Sequence, residues 1–130
     1  MLKIEVPILT EEYKIIVYLG TEKELIKHGA LYLGESEKKA TERIERRRGI
    51  AVNTIKKLGK PPILLINTDY PIEDGIATIG HEASHAMDYI SNFIGMYDTS
   101  GEFHAHGIAS VLRHSKKLKK LKNEFKVAKK

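Results

Sequence analysis

Five consecutive residues carry the most chemistry in this chain: His81-Glu82-Ala83-Ser84-His85. On a helix the two histidines are one turn apart and project from one face, so two neutral imidazole nitrogens can reach a single tetrahedral Zn²⁺. Glu82 lies about 100° round the helix from His81, which takes it off the ligand face. Its expected task is general base. A bound metal lowers the pKa of a water toward ~7, and Glu82 takes the proton as hydroxide attacks a carbonyl. The same carboxylic acid then protonates the leaving amine. The chemistry implied is peptide hydrolysis with one zinc ion per chain.

A catalytic zinc needs a third protein ligand and one open position. Ser91 stands where a metzincin would have its third histidine, which excludes that subclass. Glu102, 17 residues after His85, suits a two-histidine, one-glutamate site, with Asp98, His104 and His106 as rivals. Glu102 and His106 share a helix face, so one can bind metal while the other contacts substrate or the oxyanion. His104 and Tyr97 are further candidates for that contact. Asp88, just beyond His85, is placed to orient its imidazole or to sit solvated on the helix.

These residues need elements to position them. Ile79, Ala83, Met87, Ile90 and Ile94 form an apolar stripe that predicts a helix from Ile76 to about Gly95. A second helix is expected from Glu102 to about His114. Upstream, Lys14–Leu19, Ile50–Ile55 and Ile63–Ile66 read as strands. Thr21 and Glu24 form a capping box for a helix ending at Gly29, with Ala30–Leu33 extended beyond it. Ser36 opens a charged helix with Ala40 and Ile44 buried, and Thr68–Gly75 reads as a loop. Arg46-Arg47-Arg48 reads as a solvated face, and His28 and His114 as surface residues. The expected fold class is α+β: a minimal zincin-like domain, with a few-stranded sheet packed in one layer pair against the motif helix and the helix after it. If its edge lies beside the cleft, Ile63–Ile66 is the strand expected to accept substrate by β-addition.

Composition narrows the function classes. With no cysteine, disulfides, thiol nucleophiles and thiolate metal sites are excluded, so any transition metal must be held by His, Asp and Glu. No apolar run reaches the ~20 residues of a membrane span, and the first residues hold no stretch suited to a secretory signal. A cytoplasmic protein with no membrane partner is expected. The net charge of +5 is unevenly spread. Residues 1–112, the expected metallopeptidase domain, carry 13 Lys/Arg against 16 Asp/Glu, whereas 113–130 carry nine against Glu124 alone. That basic C-terminal helix or tail offers a contact for nucleic acid or another acidic partner. A noncatalytic metal-containing binding protein using this tail is therefore the competing reading.

The stretch Glu102-Phe103-His104-Ala105-His106-Gly107-Ile108-Ala109-Ser110-Val111-Leu112 resembles the E-x-x-A-x-x-x-A-x-x-L helix of intracellular HExxH peptidases that cleave phage-type repressors. The layout over residues 4–112 resembles small phage-encoded HExxH metallopeptidases, with an early Val-Pro-Ile strand, the Arg48-Gly49 step and the Ile63–Ile66 strand before the motif. The resemblance implies His81, His85 and Glu102 as zinc ligands, Glu82 as acid/base and a polypeptide substrate. It leaves the oxyanion stabiliser open, because His106 stands where that family often has an aromatic residue or Asn.

Overall fold

The structure is a computed structural model that describes residues 1–8, 13–95 and 101–116. β1 (Leu2–Ile8) alternates, with Ile4, Val6 and Ile8 inward and Lys3, Glu5 and Pro7 outward. β2 (Tyr13–Gly20) is buried from Ile15 onward, on both faces. β3 (Gly49–Val52) is short, and β4 (Ile63–Asn67) is buried throughout. A strand that is apolar on both faces must be covered on both. β2 and β4 are accordingly the central, parallel pair, with Ile16 opposite Ile63 and Gly20 opposite Asn67. β1 and β3 flank them, each antiparallel to its neighbour, in the order β1-β2-β4-β3.

Among the described residues, five helical segments accompany this sheet. α1 (Glu22–Leu33) opens on the Thr21–Glu24 capping box. It continues past Gly29 to a left-handed Gly34, so Ala30–Leu33 is helical and not extended. Gly29 serves packing there, since a Cβ on it would stand 3.3 Å from Ile44 Cδ1 and 3.5 Å from Leu65 Cδ1. α2 (Glu37–Ile44) buries Ala40 and Ile44 and ends before Arg46, whose φ of 61° is left-handed. The strand expected through Ile55 stops at Val52. Asn53 Oδ1 accepts the Ile55 N–H at 3.3 Å, a local turn that opens the single-turn α3 (Ile55–Leu58). α4 (Ile72–Ile94) starts directly after Pro71, four residues earlier than its apolar stripe suggests. Glu73 and Asp74 in its first turn suit the positive end of the helix dipole. α5 (Glu102–Lys116) follows.

The architecture is α+β but has three layers, not one layer pair. α4 and α5 cover one sheet face, where Ile79, Met87, Ile90 and Val111 meet Val6, Val17 and Leu64. α1 and α2 cover the other, where Leu25, Ala40 and Ile44 meet Ile16, Tyr18 and Leu65. No helix among the described residues is long and apolar enough to cross a membrane.

His28 belongs to the second of these layers and is not a free surface residue. Its ring lies 4.2 Å from that of Tyr18 and 6.1 Å from that of Tyr32, and its Nε2 is buried without a hydrogen-bond partner. Burial, with a smaller contribution from Lys3, pushes its pKa below the ordinary 6.5. Above that value His28 is neutral in both states and its contribution to stability is whole. As pH falls from there through the lower folded value, the unfolded chain takes up the proton first and stability is lost. Chemical denaturation from about pH 7.5 to about pH 5 should therefore show a midpoint that falls less steeply in His28→Phe than in wild type. A pH-independent difference between the two would contradict this.

Gly49 sets the approach of β3 to α4. A Cβ there would stand 2.5 Å from Thr78 Cγ2, 3.0 Å from Ile66 Cδ1 and 3.1 Å from the Leu65 carbonyl oxygen. Gly49→Ala should cost about 1–3 kcal/mol of stability, as overpacked sites do. Adding Thr78→Ser, which removes the closest carbon, should restore part of the loss in a denaturation measurement.

Candidate metal centre

Packing of α4 decides where its motif points. Ile79, Ala83, Ala86, Met87 and Ile90 are buried against the sheet and α5. His81 and His85 are consequently exposed on the other side of the helix. Their Nε2 atoms are 3.3 Å apart, with the ring planes at 85° to one another. Two imidazole nitrogens at ~2.05 Å from a tetrahedral zinc ion stand about 3.3 Å apart, so the pair has the separation the ion requires.

Glu82 completes the cluster. Despite its position round the helix, its flexible side chain brings the carboxylate back, placing Oε1 3.9 Å from His81 Nε2. One ligand atom from each of His81, Glu82 and His85 lies within 4.8 Å of the others, close enough to bind a metal ion. The side chain of Glu82 is only 12% exposed against 71% for His81, so its carboxylate sits on the inner side of the pair.

α5 runs antiparallel to α4. Asp88 meets His104, a Cβ on Gly107 would overlap Met87 Sδ at 2.1 Å, and a Cβ on Gly80 would touch Leu112 at 3.8 Å. Only a glycine at 107 lets the two helices cross this closely. The alignment brings Glu102, the first residue of α5, level with the α4 turn that follows Asp88. Glu102 is exposed, and the three-residue cluster does not include it.

The other candidate residues are dispersed. Asp88, placed by the sequence either to orient His85 or to sit solvated, has its Oδ1 2.5 Å from His104 Nε2, a pair that ties α4 to α5. His106 lines a groove of about 320 Å³ with Pro7, Ile8, Phe103, Gly107 and Ser110, away from the histidine pair. His114 Nδ1 lies 2.8 Å from the Ser110 carbonyl oxygen. Tyr97, Asp98 and residues 117–130 lie outside the described residues.

A second wall faces the motif. Arg46, Arg47, Arg48 and Gly49 line one side of a groove of about 530 Å³, with Ala77, Thr78, His81 and Glu82 on the other. The arginine segment is held by its backbone. Glu22 Oε1 accepts the Arg46 N–H at 2.8 Å, Asn67 Nδ2 donates to the Arg47 carbonyl at 3.3 Å, and the Asn67 N–H donates to the Arg48 carbonyl at 2.8 Å. In the sequence these are three charged residues before a glycine, and nothing local places them opposite a helix about 30 residues later.

The substrate-edge expectation needs correction. Ile63–Ile66 is in β4, an interior strand with both edges paired, and β3 is the open edge beside α4. Arg48 and Asn67 form a hydrogen-bonded pair, so by antiparallel alternation the backbone groups of Gly49 and Ala51 point outward from the sheet. Tyr89 Oη reaches the Ala51 carbonyl at 3.5 Å from α4.

A scan against models of protein families, a search of curated proteins and a search of solved structures each return no match for this chain.

Proposed function

We propose that this protein is a zinc-dependent peptide hydrolase acting in the cytoplasm. The observation that carries the reading is the 3.3 Å separation of the two Nε2 atoms beside a carboxylate on the wall of an open groove. His81 and His85 would hold the ion; Glu102, the third ligand expected from the sequence, stands outside their cluster, so the start of α5 would have to shift toward the pair for it to bind. A zinc ion in that position would polarise a carbonyl and acidify water. Glu82 remains one step out, because 3.9 Å from His81 Nε2 is longer than the ligand edge of a tetrahedral ion. Its carboxylate accepts the proton of the attacking water and returns it to the leaving amine. The outward backbone groups of Gly49 and Ala51 hold an extended peptide against the β3 edge, along the groove that contains Glu82.

One observation favours a second reading. Because the Glu82 carboxylate lies within 4.8 Å of both histidine nitrogens, it can itself be the third ligand. That arrangement would make a noncatalytic metal-containing binding protein, with residues 113–130 engaging nucleic acid or an acidic assembly partner.

Glu82→Gln separates the two. The hydrolase reading predicts one zinc per chain in both proteins and loss of cleavage of unstructured polypeptide by at least about 10²-fold, the size of a general-base contribution. Zinc content by mass spectrometry and peptide products by chromatography check it. Loss of zinc from Glu82→Gln, or equal cleavage by both proteins, overturns it.

A further inference from the structure

The arginine wall has no task in the proposed hydrolysis, yet it faces the proposed acid/base residue across the groove. Arg48 is partly engaged: its Nε lies 3.7 Å from Asp74 Oδ2, and its guanidinium lies 5.0 Å from the Tyr70 ring centroid. Arg46 and Arg47 are exposed and form no side-chain ion pair among the described residues. Their backbone is fixed by Glu22 and Asn67, and Arg46 takes a left-handed φ of 61° that few non-glycine residues adopt. Within the groove lining, Glu82 is the only acidic residue and three are arginines.

We propose that Arg46 and Arg47 select peptides carrying a carboxylate next to the bond held at Glu82. The inference rests on reading the groove as a substrate cleft. Guanidinium groups pair with carboxylates through two parallel N–H donors, which gives orientation as well as attraction. The carboxylate is either an Asp or Glu side chain of the substrate or the free C-terminus of the substrate chain. Both present the same group, and the length of peptide between it and the scissile bond decides which one fits.

Binding tests this separately from turnover. Three coumarin-labelled peptides are titrated by fluorescence anisotropy against the full zinc-loaded chain: one with a single Glu and an amidated C-terminus, its Gln counterpart with the same amide, and that Gln peptide with a free C-terminal carboxylate. Wild type should bind one of the two carboxylate peptides about tenfold or more tightly than the neutral one, as expected for a hydrogen-bonded ion pair. Preference for the Glu amide identifies a side-chain carboxylate, and preference for the free acid a terminal one. The double variant Arg46→Gln/Arg47→Gln should lose the preference, while Arg46→Lys/Arg47→Lys should keep part of it; thermal melts confirm that each variant folds. Equal binding of all three peptides by wild type overturns the proposal. So does a preference that survives in the Gln variant, which would place the contact elsewhere, as in the basic residues 113–130. If the preference is found but zinc-loaded wild type cleaves none of the peptides and no unstructured polypeptide, the hydrolase reading fails and the carboxylate site stands.

Discussion

The docking of α4 on the sheet is the constraint from which the rest follows. Ile79, Ala83, Met87 and Ile90 form one face with essentially no exposure, and burying them fixes the rotation of the helix about its own axis. The large side chains Ile79, Met87 and Ile90 each contribute on the order of 1.5–3 kcal/mol, so turning the helix to hide the histidines would forfeit several such terms at once. His81 and His85 are thereby held outward, one turn apart and with their nitrogens 3.3 Å from each other. The face on which the pair stands is thus a by-product of core packing.

Two glycines bring the flanking elements close enough to matter. Gly107 allows α5 to cross α4 at Met87, and the Asp88–His104 pair pins the crossing near the start of α5. Gly49 allows the β3 edge to press on Thr78, which closes the groove between the arginine segment and the motif. A side chain at either position would push its element away from α4.

Much of this was legible in the sequence, and what was not has identifiable causes. The helix stripe, the Thr21–Glu24 capping box and the motif spacing are local, and each depends on residues within a few turns. The second helical layer was hidden because a strand buried on both faces, such as Ile63–Asn67, reads as a plain apolar run that does not say how many helices cover it. Strand order was also hidden: β4 is the more hydrophobic and regular strand, while the short β3 is the one left open at the edge. Gly29 reads as a helix stop in sequence, yet it packs inside one against Ile44 and Leu65. For the site, the three residues of the motif could be named in advance, but the arginine wall could not, since nothing local links Arg46–Arg48 to His81.

The central claim is that the histidine pair holds zinc while Glu82 stays off the metal and is kept for proton transfer. Its most direct test is a crystal structure of the zinc-loaded full-length chain, with anomalous scattering measured at the zinc edge. The account predicts one zinc ion bound by Nε2 of His81 and of His85, with the Glu82 carboxylate uncoordinated. Zinc located away from the histidine pair, or bound directly by Glu82, would contradict it.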